Sequence, residues 1–290
     1  SIAMLDHKIE TFLTVVKYKS YTKTAEILHM TQPAVTQHIH KLEAYYNCKL
    51  VDSSQHTIKI TNAGKRLYTY LSLQQANEKH FFHLLKNTVR PLCIGASLSI
   101  ADYYLPQFLI KNLLTDKDRI RITVENTTNL LKKLQNGDID CAFVEGIFDT
   151  AFFETKLYKN ESFIPVVAST HPLSNKEVTL QQLQDYPLIL REPDSGTREI
   201  LENWLSQRNV SPQSFQTVIE IGSILLIKKL ISQSSAVTFL YEGVVKKELS
   251  NGKLAHVKIK DYQLQHPLYF IYRKGDPKYY IYEKIFQSLT

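Results

Sequence analysis

Five polar side chains in the stretch TQPAVTQHIHK carry the clearest chemistry in this sequence, which is hydrogen bonding to the edges of DNA bases. They are Gln32, Thr36, Gln37, His40 and Lys41. A glutamine amide can both donate to and accept from one adenine, and a threonine can meet a thymine methyl group or a base acceptor. The alternative is that these residues form the solvated polar face of an ordinary helical hairpin.

Three short helices would have to position these groups. Apolar residues at helical spacing predict a first helix over 6–18. Thr22 is expected to cap a second helix, which ends at a turn formed by residues 29–30. Thr31 is the expected N-cap of the third helix, with Pro33 in its first turn, where the missing N–H costs nothing. The buried stripe of that helix is Val35, Ile39 and Leu42.

A winged extension and a long helix are predicted to follow. Two short strands around a polar turn occupy residues 50–60, and this wing contains three further DNA-binding candidates, Ser53, His56 and Lys59. The next helix is predicted over 63–88. Its apolar stripe is Leu67, Leu71, Phe81 and Leu85. Such a stripe favours pairing with a second copy of the chain, which would present two reading helices to two half-sites.

Residues 5–65 resemble the DNA-binding domain of LysR-type transcriptional regulators. The family pattern is A-x-x-L-x-x-(T/S)-Q-P-(A/S)-(V/L)-(S/T)-x-x-I-x-x-L-E, followed by a wing that ends in L-T-x-A-G. The chain matches this pattern, with Ile60 in place of the wing leucine, at Ala25, Leu28, 31–36, Ile39, 42–43 and 60–64. The resemblance implies that the helix over 32–46 and the wing bind promoter DNA.

The chain departs from the family pattern at four positions. The family usually has glycine near Asn47, phenylalanine at Val51, and arginines at Ser53 and His56. Those arginines would be expected to contact phosphates. The lysines that would compensate for their loss are Lys41, Lys49 and Lys59.

Positive charge is concentrated in the first part of the chain. Residues 1–89 contain eleven Lys/Arg and six Asp/Glu, whereas residues 90–290 contain twenty-four and twenty-two. A short basic module before a longer, nearly neutral one is typical of a nucleic-acid reader with an attached sensor.

The remaining two hundred residues predict alternating strands and helices. Apolar runs predict strands at 92–97, 120–125, 141–144, 163–168, 188–190, 219–221, 237–240 and 266–272. Helices are expected from Ser99, over 129–136, from about 197 through Trp204, over 224–232 and over 277–288. This order favours a parallel, doubly wound sheet in two α/β lobes crossed by two strands.

Small hydroxyl residues stand at four of the predicted helix starts. They are Ser97, Ser99, Thr127, Thr128, Ser195, Thr197 and Ser223. Ligands in open α/β sheets bind beyond the carboxyl ends of strands, and helix N-termini attract anions. We therefore predict that these hydroxyls hold a small anionic metabolite, such as a carboxylate or a sulfate-like oxyanion, between the lobes. The alternative for any single position is plain N-capping.

This second half resembles both the effector domain of LysR-type regulators and the periplasmic solute-binding proteins. The fold class is thus multidomain: a winged helix-turn-helix over 4–62, a linker helix over 63–89 and an effector-binding domain over 90–290. We place lobe I at 90–162 and 267–290, and lobe II at 163–266. Residues 192–198, Glu-Pro-x-Ser-Gly-Thr-Arg, resemble the family's subgroup that controls sulfur and carbon assimilation.

The resemblance implies double-stranded promoter DNA, RNA polymerase and further copies of the chain, as a dimer or tetramer, as partners. No cofactor is expected besides the effector. The sequence contains no P-loop, no G-x-S-x-G, no H-E-x-x-H and no paired cysteine spacing, so we expect neither an enzyme nor a metal site. No signal peptide or membrane span is expected, which favours a cytoplasmic protein. The competing reading is a solute-binding protein without a transcriptional role.

Overall fold

The computed structural model describes residues 6–54, 57–86, 90–112 and 119–289. The chain divides into two compact units. Unit 1 comprises residues 1–89, 135–138 and 273–277, and unit 2 comprises residues 90–134, 139–272 and 278–290.

Unit 1 contains a winged helix-turn-helix followed by a long helix. Its elements are α1 (His7–Tyr18), α2 (Tyr21–Ile27), α3 (Gln32–Tyr46), β1 (Val51–Asp52), β2 (Lys59–Ile60) and α4 (Asn62–Leu85). The two wing strands are antiparallel, with Val51 opposite Ile60. A compact apolar core of Phe12, Val15, Ala25, Val35, Ile39, Leu42, Leu50, Val51 and Leu71 holds these elements together.

Side-chain caps set where the helices of unit 1 begin. The Thr31 hydroxyl accepts from the backbone N–H of Ala34 at 3.4 Å, as predicted. The cap of α2, however, is Ser20, whose hydroxyl accepts from Lys23 at 3.1 Å. The prediction of Thr22 was wrong because α2 starts earlier than its apolar pattern indicates. Thr61 caps α4 through a 2.9 Å bond from the N–H of Gly64.

The second half of α4 contributes to a buried polar network within unit 1. The guanidinium group of Arg273 donates to Asp276 at 2.7 Å and to the Asn77 side-chain oxygen at 3.2 Å. A ring nitrogen of His80 lies 3.1 Å from the carbonyl oxygen of Gly137 and another lies 3.0 Å from Arg273. Arg273, His80 and Asp276 are almost completely buried. This network joins α4 to segments that are distant in the sequence.

Unit 2 is an α/β structure. Its strands are β3 (Leu92–Ala96), β4 (Ile120–Val124), β5 (Cys141–Val144), β6 (Phe153–Ala168), β7 (Glu177–Val178), β8 (Leu188–Leu190), β9 (Val218–Glu220), β10 (Thr238–Tyr241), β11 (Leu254–His256), β12 (Lys258–Ile259) and β13 (Gln265–Arg273). Its α-helices are α5 (Leu98–Tyr103), α6 (Leu105–Asn112), α7 (Thr127–Asn136), α8 (Leu180–Leu183), α9 (Gly196–Ser206), α10 (Ile224–Ser232), α11 (Glu242–Ser250) and α12 (Tyr279–Leu289).

The main sheet has the order β10-β6-β13-β5-β3-β4, and β11 also pairs with β6. The parallel pairs β3–β4, β3–β5 and β8–β9 confirm the prediction for strands joined through helices. Other neighbours in the main sheet are antiparallel, since β13 pairs antiparallel with β5 and β10 pairs antiparallel with β6. The sheet is therefore mixed.

Strands β6 and β13 are the two longest strands of unit 2, and they are neighbours in the main sheet. The end of β6, residues 163–168, pairs with β10 and β11, whereas residues 269–272 of β13 pair with β5. The sequence predicts only this apolar end of β6, because residues 154–162 are mostly polar or charged. No described helix is long and apolar enough to cross a membrane.

Candidate nucleic-acid interface and effector site

The predicted base-reading face of α3 is accessible to a ligand. Gln32, Gln37, His40 and Lys41 are exposed, together with Thr31 and Pro33 at the start of the helix, and Thr36 is half-buried. The hydroxyl of Thr36 donates to the carbonyl oxygen of Gln32 at 3.2 Å. Its methyl group and its acceptor lone pairs are therefore the parts left for a base.

The opposite face of α3 fixes the helix in place. Val35 and Ile39 are at most 1% exposed, and α3 packs on both α1 and α2. The ring of His38 lies 2.8 Å from the hydroxyl of Thr11 in α1. Asn47 ends α3 with φ near 51°, a left-handed conformation that asparagine tolerates and glycine adopts freely. Asparagine therefore performs at this position the role that glycine usually has in the family pattern.

Glu43, near the end of α3, ties the wing to the reading helix. Its buried carboxylate accepts the backbone N–H groups of Leu50 at 2.9 Å and Val51 at 3.2 Å. Lys49 donates to the same carboxylate at 2.9 Å, and these bonds lower the pKa of Glu43 although burial opposes them. Lys49 is thus engaged by Glu43, whereas the side chain of Lys41 is exposed.

The wing candidates are only partly described. Ser53 and Lys59 are exposed, on the turn and on β2 respectively. His56 lies outside the described residues. We use the name α3–wing surface for the polar face of α3, which is Gln32, Thr36, Gln37, His40 and Lys41, together with Ser53 and Lys59 of the wing.

In unit 2, two of the predicted effector-site hydroxyls meet at Glu145. The Ser97 hydroxyl donates to the carboxylate of Glu145, and the Thr127 hydroxyl donates to its backbone oxygen at 2.8 Å. Glu145 is 2% exposed. Burial raises the pKa of its carboxyl to about 7, while the bond from Ser97 and the charge of Arg191 act against that rise.

The start of α9 lies against the same residue. A Cβ placed on Gly196 would lie 2.6 Å from the backbone oxygen of Glu145, and one placed on Gly146 would lie 2.9 Å from the Cα of Gly196. The buried hydroxyls of Ser195 and Thr197, on either side of Gly196, are 3.0 Å apart. The structure therefore brings Ser97, Thr127, Ser195 and Thr197 together around Glu145. We call these five residues the Glu145 site.

The other three predicted residues are placed differently. Ser99 is buried in the first turn of α5, which begins at Leu98 with Ser97 at its N-cap position. Thr128 is exposed. Ser223 is exposed and caps α10 by accepting from Leu226 at 3.2 Å. The capping alternative thus applies to Ser223, whereas neither Ser97 nor Ser195 makes a side-chain cap.

Three residues of this region were not predicted from the sequence. Glu145 directly follows β5 at its carboxyl end, so the strand-end rule that selected the hydroxyls also applies to it. Arg191 is 6% exposed and binds the neighbouring Glu192 through bonds of 2.8 and 2.9 Å. The hydroxyl of Tyr241 is buried and has no hydrogen-bond partner among the described residues. In the described part of the chain, no cluster of three His, Cys, Asp or Glu side chains is arranged to hold a metal ion.

Comparison with known families matches both halves of the chain. Residues 7–65 match "Bacterial regulatory helix-turn-helix protein, lysR family". Residues 86–279 match "LysR substrate binding domain".

Individual relatives extend over most of the chain. The transcriptional regulator CysL of Bacillus subtilis is 27% identical over 91% of this chain and 89% of its own length. The RuBisCO operon transcriptional regulator of Acidithiobacillus ferrooxidans is 26% identical over 93% and 88%. The solved structure of the H2O2-bound Corynebacterium glutamicum OxyR C206S mutant is 22% identical. It covers 100% of this chain and 91% of that one, with a TM-score of 0.61.

Proposed function

We infer from its place in the LysR family of transcriptional regulators, to which the chain belongs, that it binds promoter DNA through the α3–wing surface and responds to a small anion at the Glu145 site. The observation that carries the DNA-binding part is the exposed polar face of α3 above a fully buried apolar stripe. Relatives named CysL and RuBisCO operon regulator agree with the predicted sulfur and carbon subgroup.

Each predicted domain is proposed to have its own function. Residues 4–62 would bind DNA, residues 63–89 would link and pair two chains, and residues 90–290 would bind the effector. The lobes are proposed at 90–162 with 267–290, and at 163–266. With this division the Glu145 site would lie between the two lobes, since Glu145 follows β5 of the first lobe and Ser195 and Thr197 lie at the start of α9 of the second.

An anion at the Glu145 site is supported by its hydroxyl groups and by the start of α9. The first turn of this eleven-residue helix has no side-chain cap, so its N–H groups are available to a ligand. Two buried hydroxyls, those of Ser195 and Thr197, flank that turn. An oxyanion would accept hydrogen bonds from both kinds of donor. Thr128 and Ser223, being exposed, would contribute only at the rim.

Pairing of two chains is supported by apolar side chains that each unit leaves exposed. On α4 these are Phe81, Phe82 and Leu85, of which Leu85 is 62% exposed. On α10 they are Leu225, Leu226 and Leu230. Exposed apolar groups at helical spacing are typical of a surface that another chain covers. A tetramer and contact with RNA polymerase remain predictions from the family resemblance.

Replacing Gln32 or Thr36 by alanine is expected to reduce sequence discrimination by about 1–3 kcal/mol for each base that the side chain no longer reads. DNA sites would first be selected in vitro by the full-length protein from a random duplex library. Fluorescence anisotropy would then compare the selected duplex with a scrambled one at several salt concentrations. The matched control is Gln181→Ala, which removes an exposed amide from α8.

The wild-type protein should prefer the selected duplex and show a steep fall of affinity with salt, because bound lysines release counterions. Both single variants should lose preference while keeping the salt slope. An equal loss of affinity on both duplexes would mean that these side chains only position α3. A failure of the wild-type protein to bind any duplex would favour the solute-binding reading instead.

A further inference from the structure

The Glu145 site already contains a carboxylate, and that carboxylate uses one of the donors that an anionic effector would need. Ser97 donates its only hydroxyl proton to Glu145. Thr127 and the close approach of Gly196 hold the backbone of Glu145 in place. An anionic effector would therefore lie next to the carboxylate of Glu145, and the hydroxyl of Ser97 would already be engaged.

The charges around Glu145 do not neutralise it. Arg191 is the nearby cation, but its guanidinium group makes two bonds to Glu192. The carboxylate of Glu199 lies on the same side, 3.6 Å from where a Cβ of Gly146 would be. The phenols of Tyr104 and Tyr241 are also near Glu145, since its charge, after burial, is among the causes that raise the pKa of each. A second anion in this buried place would face like charge, and two close, buried carboxylate-like charges are not both ionised.

A separate observation favours a polar ligand in this region. The hydroxyl of Tyr241, at the end of β10, is completely buried and has no hydrogen-bond partner in the part of the chain that the structure describes, which normally costs folding free energy. After burial itself, the charge of Glu145 is the largest influence that raises the pKa of this phenol. The hydroxyl is thus near the Glu145 carboxylate and is a donor still available to a bound group.

Resting on the proposed effector function, we propose that Glu145 is the specificity-determining acid of this site and that it admits an anionic effector only after taking up a proton. The proton comes from solvent and adds to the Glu145 carboxylate. Ser97 is then released to donate to the incoming anion, with Tyr241 as a further donor. Ionised Glu145 excludes anions, because it keeps the Ser97 proton and repels a second charge.

Because burial raises the pKa of Glu145 to about 7, anions are excluded from the site above about neutral pH. Binding that requires one proton weakens about tenfold for each pH unit above the pKa of the acid. The experiment therefore measures anion binding to the full-length protein by calorimetry at about pH 6 and about pH 8.5. The probes are sulfate and thiosulfate, whose charge does not change in this range, at constant ionic strength. The variants are Glu145→Gln and, as matched control, Glu177→Gln on β7.

The expected result is a wild-type affinity that falls more than tenfold between the two pH values. Glu145→Gln should bind with similar affinity at both, and Glu177→Gln should behave as wild type. The wild-type titration is repeated in a second buffer with a different ionisation enthalpy. The difference between the two binding enthalpies should correspond to about one proton taken up per anion at the higher pH. This readout does not depend on the folding of any variant.

Equal pH dependence in wild type and Glu145→Gln, or no proton uptake by wild type, would overturn the role of Glu145 and leave the anion-responsive regulator standing. Absence of sulfate and thiosulfate binding even in Glu145→Gln would overturn the anionic effector as well. Neither outcome bears on DNA binding, which is measured separately on selected duplexes.

Discussion

Gly64→Ala is expected to destabilise unit 1 by about 3 kcal/mol or more and to abolish DNA binding. A Cβ at this position would lie 2.2 Å from the carbonyl oxygen of Leu50 and 2.8 Å from the Cγ2 atom of Ile60. The oxygen cannot move easily, because it accepts from the backbone N–H of Thr61 at 3.1 Å and from the Thr61 hydroxyl at 3.2 Å. The added methyl group would force the wing away from α4.

Two optical probes can localise this effect. Trp204 is the only tryptophan of the chain and is buried in unit 2, so its fluorescence reports that unit, whereas far-ultraviolet circular dichroism reports the helices of both. In urea titrations, Gly64→Ala should lower the urea concentration at the midpoint of the transition seen by circular dichroism. The midpoint of the transition seen by Trp204 fluorescence should be nearly unchanged. Gly222→Ala is the matched control, because its nearest contact would be an ordinary 3.5 Å. Wild-type stability and DNA affinity in Gly64→Ala would contradict the packing described for the wing.

Glu145→Gln is expected to remove a pH dependence from the stability of unit 2. The pKa of Glu145 is raised from 4.5 to about 7, so the folded state holds its proton more tightly than the unfolded chain does. The contribution of Glu145 to the stability of unit 2 is therefore fully present below about pH 4.5 and is lost as the pH rises through about 7. The loss amounts to about 3 kcal/mol, at 1.36 kcal/mol per pKa unit.

Urea titrations followed by Trp204 fluorescence, at about pH 5 and about pH 8, measure this difference. Relative to wild type, Glu145→Gln should gain about 2.5 kcal/mol of unfolding free energy between the two pH values, since a small part of the contribution is already lost at pH 5. Glu177→Gln, which removes an exposed carboxylate, controls for the loss of one charge. If the unfolding free energies of Glu145→Gln and wild type differ by the same amount at both pH values, Glu145 is not the buried acid described above.

The helix-turn-helix of unit 1 could be predicted from the sequence because the residues that set its third helix are close together in the chain. The cap at Thr31, the proline after it and the stripe of α3 all lie within a dozen residues, and the structure confirms each. The start of α2 was misplaced because the polar Ser20 carries the cap outside the apolar pattern.

The parts that were missed depend on residues far apart in the chain. The contact between Arg273 and His80 spans 193 residues, and no local pattern predicts it. The first half of β6 lacks an apolar run, so only its neighbours in the sheet identify it. Glu145 was not predicted for another reason: an anion site calls for hydroxyl and N–H donors, and an acid at the same kind of strand end does not fit that pattern. Burial, which the sequence does not show, is what makes that acid important.

If the protein is an anion-responsive regulator, binding of an anion at the Glu145 site is coupled to binding of DNA at the α3–wing surface. The most direct measurement is the DNA affinity of the full-length protein with and without saturating sulfate or thiosulfate, paired with the anion affinity with and without the selected duplex. Constant ionic strength and a pH of about 6 remove trivial salt effects and keep Glu145 protonated. We expect each ligand to change the affinity of the other by the same factor, between about 5 and 150. The factor should disappear in the Ser97→Ala, Ser195→Ala double variant while DNA binding is retained. Anion binding that leaves DNA affinity unchanged in the wild-type protein would show that the two sites are not coupled.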